Sequence, residues 1–230
     1  MKILKYLKNL FHLDGGVSSA SGTSASASVS STSSSSSTSS SSSSSGVSSA
    51  SGSIAGHGYV DLGLSVKWAT CNVCANSPED YGNYYAWGET SPKSSYTEGN
   101  SKTCGKNYGD IAGNSSLDAA TANWGSTWRL PTSGEITELQ IKCTWTWTTM
   151  NGTNGYKVTS KVNGKSIFLP AAGYRRDSSL HDSGSSGFYQ CPEPDTSFTR
   201  FASSLIFRSG NVDRYYYTRY DGLSVRPVSE

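Results

Sequence analysis

The chain has 230 residues, of which 16% are charged and 11% aromatic, and a formal net charge of +2. The excess sits in the first fourteen residues, where Lys2, Lys5 and Lys8 face only Asp14, while residues 57–170 balance nine basic against nine acidic side chains and residues 171–230 seven against seven. A part so close to neutral offers no polyanion-binding surface, so no nucleic-acid partner is expected.

Met1–Asp14 places Ile3, Leu4, Leu7, Leu10 and Phe11 at helical spacing with lysines on the other side, and Gly15-Gly16 would stop the helix. It is too short to span a bilayer. Lys5 and Lys8 break the apolar run that a secretory signal needs, and no small-residue cleavage site follows. Residues 1–14 therefore read as an amphipathic docking helix for a virion protein or a membrane surface. Residues 15–56 are almost all Ser, Gly, Ala, Thr and Val, with Ser33–Ser45 interrupted only by Thr38. Without large apolar side chains to offset chain entropy, this stretch reads as a disordered linker, letting a head domain over 57–230 range roughly 35 to 40 Å from its anchor.

Within the head, Val60, Leu62, Leu64, Val66 and Trp68 alternate with small or polar residues, which predicts a half-buried strand. Residues 76–115 show little periodicity but carry Tyr81, Tyr84, Tyr85 and Trp87, so this irregular region must pack. Thr132 and Glu135 form a capping box before a helix that places Ile136, Leu139 and Cys143 on one face. Asn163-Gly164 predicts a hairpin, Ser209-Gly210-Asn211 a second turn, and Gly222–Val228 a last strand with Leu223 and Val225 on one side. Gly63–Lys67 is echoed by Gly222–Arg226, which suggests that the first and last strands pair. Few helices and several late hairpins indicate an α+β domain with long loops.

The five cysteines, Cys71, Cys74, Cys104, Cys143 and Cys191, form an odd set, and Cys71 and Cys74 make the single C-x-x-C. With His57 and His181 as the head's imidazoles, in no ligand spacing, no metal is expected, and buried free thiols are the simplest reading. No G-x-S-x-G elbow occurs, and His181 has no recognisable catalytic partner. Neither an enzyme nor a cofactor is expected.

The stretches YVDLGLSVKWATCNV, YYAWGETSPKSSYT, AATANWGSTWRLPT, IFLPAAGYR and GLSVRPVSE together resemble the paralogous surface-protein domains of Bacteroidetes and Fibrobacter and of their phages. That group is similar to the formylglycine-generating-enzyme-like branch of the C-type lectin fold. The resemblance covers residues 58–230 and implies a C-type lectin-like head whose ligand surface is built by its C-terminal part. The oxidase chemistry of the fold's namesake needs a reactive cysteine pair late in the chain, where Cys191 stands alone. Calcium-dependent sugar binding would use an E-P-N type loop, which Glu193-Pro194-Asp195 only approaches.

Several proteins of this fold are variable proteins of diversity-generating retroelements, in which template AAY codons become NNY. Such codons never encode Lys, Met, Trp, Gln or Glu. All eleven lysines lie at or before Lys165, all six tryptophans at or before Trp147, and the last methionine is Met150, whereas seven of the eight arginines lie at or after Arg175. Gln190, Glu193 and Glu230 are the exceptions. The resemblance thus implies a variable region over about 174–222, rich in the Tyr, Arg and Ser that serve binding surfaces well. Its candidate ligand contacts are Arg176, Asp177, His181, Asp182, Ser186, Phe188, Gln190, Phe198, Arg200, Phe201, Ser204, Ile206, Arg208, Asp213, Tyr215, Tyr217, Tyr220 and Asp221. Tyr174, Leu205, Phe207, Leu223 and Val225 read as core, and Arg175, Arg219 and Arg226 as internally bonded. The expected role is recognition of a protein or glycan receptor, with the head displayed on a virion or bacterial surface; a non-diversified carbohydrate-binding adhesin is the alternative.

Overall fold

The computed structural model describes residues 46–230, so the expected docking helix over 1–14 and most of the expected linker lie outside the described residues. The head begins earlier than residue 57. Strand β1 (Gly52–Ile54) pairs antiparallel with β2 (His57–Val60). Before it, the Ser48 N–H donates to the Ser166 carbonyl at 3.2 Å and the Ser166 N–H to Ser48 Oγ at 2.9 Å. The serine-rich composition hides this start, because the segment is held by backbone hydrogen bonds and by a single apolar side chain, Ile54, packed on the core.

The expected strand from Val60 to Trp68 is two short ones. Asp61 Oδ1 accepts the Gly63 N–H at 2.8 Å, and Gly63 takes a φ of 68°, which turns the chain between β2 and β3 (Lys67–Ala69). β3 then pairs with β12 (Val228–Ser229), through Lys67↔Ser229 and Trp68↔Val228, so the two ends of the domain do meet. This sheet has the order β1-β2-β3-β12.

Residues 76–115 contain little regular structure beyond a 3-10 turn at Glu98–Asn100, and are held by buried aromatic side chains. The Tyr96 hydroxyl donates to the Tyr84 carbonyl at 2.6 Å, and Trp87 Nε1 donates to the Cys191 carbonyl at 3.0 Å. Helix α1 (Ala119–Trp124) is capped by Asp118, whose buried carboxylate also accepts the N–H groups of Gly113 and Leu130. Helix α2 (Ser133–Lys142) starts at the expected capping box and buries Ile136 and Leu139.

Cys143, expected on that helix, instead opens β4 (Cys143–Met150), which pairs over its whole length with β5 (Thr153–Ser160). β5 pairs with β6 (Ser166–Pro170) around the expected Asn163-Gly164 turn. A short hairpin follows, β7 (Tyr174–Arg176) with β8 (Ser179–His181). The last sheet has the order β11-β10-β9, with β9 at Ser186–Pro194, β10 at Phe201–Arg208 and β11 at Asn211–Thr218.

The described chain is therefore α+β: small antiparallel sheets with few helices. One core joins Leu139, Tyr156, Val158, Tyr189, Leu205 and Phe207 between α2 and the two three-stranded sheets. A second gathers Tyr85, Trp87, Trp124 and Trp128 with Val225. Leu223 belongs to a third cluster around Tyr174, so Leu223 and Val225 do not share a side as expected. The stretch crosses from one cluster to the next through isolated bridges, Tyr85↔Leu223 and Tyr189↔Ser224, rather than as a flat strand.

Two buried arginines hold the irregular parts. Arg219 lies over the Trp87 ring at 4.3 Å and donates to the Phe201 and Lys106 carbonyls. Arg226 donates to Asn72 Oδ1 and to the carbonyls of Ala69, Thr70 and Phe168. The five cysteines are free thiols, but only Cys143 and Cys191 are buried; Cys71 and Cys104 are half-buried and Cys74 is exposed.

Candidate functional site: one face of the last sheet

A strand shows alternate residues to opposite faces, so the register of β9, β10 and β11 divides the late segment in two. Tyr189, Leu205 and Phe207 take the face toward the main core, and Phe188↔Ile206↔Asp213 and Gln190↔Ser204↔Tyr215 cross the other. The second face thus collects Phe188, Gln190, Ser204, Ile206, Asp213, Tyr215 and Tyr217, all of them sequence candidates.

β7 and β8 lie beside that face. The Tyr174 ring meets Phe188 at 4.8 Å and Tyr217 at 5.5 Å, and stacks on His181 at 5.2 Å with planes 21° apart. Gly173 permits this close approach: at a φ of 67°, a Cβ there would lie 2.0 Å from the His181 carbonyl oxygen. The Arg176 guanidinium lies 5.4 Å from the Tyr174 ring and 5.8 Å from the Tyr220 ring, and its Nη2 pairs with Asp221 Oδ2 at 2.6 Å. Thr218 donates to the same carboxylate. The Asp221 hydrogen bond raises the pKa of Arg176 and fixes its cation at the rim.

Burial corrects part of the expected contact set. Phe188, Ile206 and Tyr217 pack into the Tyr174 cluster and are buried. Burial pushes the Tyr217 phenol's pKa far above its ordinary value, so it stays neutral. Gln190 is buried because its amide donates to the Tyr85 carbonyl, and Ser204 lies buried next to it in the register. Asp221 is buried as the anchor of Arg176. These six side chains support the surface from below rather than forming it.

The accessible or half-accessible candidates are Arg176, Asp177, His181, Asp182, Asp213, Tyr215 and Tyr220, with Ser186 and Arg208 at the hairpin end of the sheet. The Tyr215 hydroxyl donates to Asp213 Oδ2 at 3.2 Å. Asp177 and Asp182 take φ values of 51° and 56°, and Asp177 exchanges backbone hydrogen bonds with Tyr96 at 2.8 and 2.9 Å. Phe198, Arg200 and Phe201 lie where β10 begins, and Arg200 pairs there with Glu98; the structure does not bring them to the Tyr174 cluster.

β11 holds three consecutive tyrosines, Tyr215, Tyr216 and Tyr217, and the most exposed of them was not among the candidate contacts. Tyr216 is 47% exposed and sits opposite Ser203, on the face that carries Leu205 and Phe207. Two-residue alternation alone would turn Tyr216 toward the core with Leu205 and Phe207, so its exposure was not legible in the sequence.

Glu193 accepts the Ser133 N–H at 2.6 Å and the Ser133 hydroxyl at 2.9 Å at the start of α2, and Asp195 accepts the N–H groups of Ser197 and Phe198. Both carboxylates of the E-P-D stretch are engaged within the fold. Burial pushes the Cys143 thiol up to about 11 and raises Cys191 further, so neither is a thiolate at neutral pH. Among the described residues, no group of three His, Cys, Asp or Glu side chains could hold a metal ion. No family model, no curated protein and no solved structure matches the chain.

Proposed function

We propose that the head is a C-type lectin-like display domain that binds a protein or glycan receptor on a cell surface, and that a retroelement diversifies its binding face. The face is the rim formed by Arg176, Asp177, His181, Asp182, Asp213, Tyr215 and Tyr220 above the Tyr174 cluster. Residues 1–14 would anchor it to a virion or bacterial surface.

One observation carries this reading. Gln190 and Glu193, which NNY codons cannot encode, are each committed to the fold: Gln190 to the Tyr85 carbonyl and Glu193 to the first turn of α2. The rim side chains are all types that such codons do encode. Gln190 and Glu193 thus have roles inside the fold, and the accessible rim is made of types that can vary, while Phe188, Ile206 and Tyr217 are encodable but buried beneath it.

The neighbouring DNA tests the proposal. It should hold a reverse transcriptase gene and an imperfect repeat of the segment encoding residues 171–228, differing from it at adenines. If both are missing, diversification is ruled out. Removing residues 1–14 should release the protein from its particle or membrane; unchanged association would overturn the anchor.

A further inference from the structure

The sheet β4-β5-β6 ends in an outer strand. Met150↔Thr153 closes the two-residue Asn151-Gly152 turn as a hydrogen-bonded pair, so alternation directs the main-chain groups of Trp145 and Trp147 away from β5. No described residue bonds to those main-chain groups on the outer side. Outer strands are ordinarily guarded against association by charge, proline or a bulge. Cys143–Met150 has no charged residue and no proline, and its register with β5 runs unbroken through eight pairs. By contrast the outer strand β11 carries Asp213 and Arg214, and Gln140 donates to its Val212 carbonyl at 3.1 Å.

Thr144-Trp145-Thr146-Trp147-Thr148 reads the same in both directions. An antiparallel partner runs backwards, so a palindrome laid against its own copy matches every residue with its own kind. We infer that β4 pairs with β4 of a second copy about a two-fold axis at Thr146, joining the two sheets in the order β6-β5-β4-β4-β5-β6. The parity fits: the outward groups of Trp145 and Trp147 make four N–H···O bonds, and Thr146 meets Thr146 at a non-hydrogen-bonded site, where side chains approach most closely. The half-buried tryptophans pair on the core side and the threonines on the other, both favourable types of cross-strand pair. The contact is isologous and closed, so it stops at two. It requires nothing of the proposed binding face.

Sedimentation velocity on the full chain across micromolar concentrations is expected to show reversible conversion to twice the monomer mass. Thr146→Lys changes an exposed side chain and sets two ammonium groups opposite each other at the axis. It should weaken the dimer at least tenfold while leaving the melting temperature unchanged at dilutions where both proteins are monomeric. Thr146→Cys, oxidised with diamide, should yield a disulfide-linked dimer above the wild-type background, and Thr148→Cys, which would face Thr144, should not. A monomer at every concentration would overturn the pairing, as would a dimer indifferent to Thr146→Lys or equal cross-linking from both cysteine variants. So would a monomer whose Trp145 and Trp147 amides resist hydrogen exchange, since the edge would then be covered from within the chain.

Discussion

β4 and β11 are built alike. Each is an eight-residue outer strand of a three-stranded antiparallel sheet, and each joins its neighbour through a two-residue turn ending in glycine. They differ in what alternates along them. β4 sets threonine against tryptophan without a charge, whereas β11 places Asp213 and Arg214 next to three successive tyrosines. Equal backbones thus present one edge suited to a strand and one whose side chains keep strands away while offering varied contacts. The proposed association and the proposed recognition would then be separated by side-chain chemistry rather than by architecture.

The largest perturbation should erase this distinction by damaging both sheets together. The Phe207 ring meets Tyr156 at 5.3 Å, Tyr189 at 5.7 Å, Trp145 at 6.3 Å and Trp147 at 6.5 Å, so it bridges β10 to the sheet of β4. Phe207→Ala should cost about 3 to 5 kcal/mol in a denaturant titration, and both edges should loosen in hydrogen exchange. Tyr217→Ala acts on one side only: removing a buried ring from the Tyr174 cluster should cost about 3 kcal/mol and leave β4 dimerisation intact.

Glu135 lies between the two regions, at the start of the helix that leads into β4 and packs on β11. Burial pushes its carboxyl pKa up, but the Arg129 hydrogen bond and the Thr132 N–H outweigh this and hold it below the ordinary value. A depressed folded pKa stabilises the protein above the unfolded value of about 4.3, and that contribution disappears as pH falls through the folded pKa. Glu135→Gln should therefore lower stability by about 1 kcal/mol at neutral pH and flatten the acid limb of a melting-temperature profile. Tyr216→Ala should be smallest, within about 0.5 kcal/mol, since nearly half the side chain is already in water. A larger loss would mean that Tyr216 supports the sheet rather than being displayed by it.

Local signals in the sequence match the structure where short-range physics decides it. The Thr132–Glu135 capping box, the Asn163-Gly164 hairpin and the Ser209-Gly210 turn each form as expected, because a cap or a turn is fixed by a few neighbouring residues. The site was partly legible for the same reason: two-residue alternation put Phe188, Ile206, Asp213, Tyr215 and Tyr217 on one face. Depth was not legible. Tyr217 and Tyr215 share a face, and the difference between them comes from Tyr174, brought over them by a hairpin forty residues earlier. β4 was missed altogether, since a run of threonine and tryptophan directly after a helix shows no break in sequence, only the reversal at Asn151-Gly152.

Arg226 binds two distant stretches of chain, at residues 69–72 and at Phe168, and most of its partners are main-chain carbonyls. A guanidinium bonded to carbonyls reads backbone position and is blind to the side chains attached to it. The tie itself would therefore survive a change of side chain at the half-buried Thr70, whereas Ala69 and Phe168 are held to their identities by burial and not by the arginine. One fixed arginine in this way lends heritable tolerance to that one position, and lysine, with a single nitrogen in place of a fork, could not take over that role.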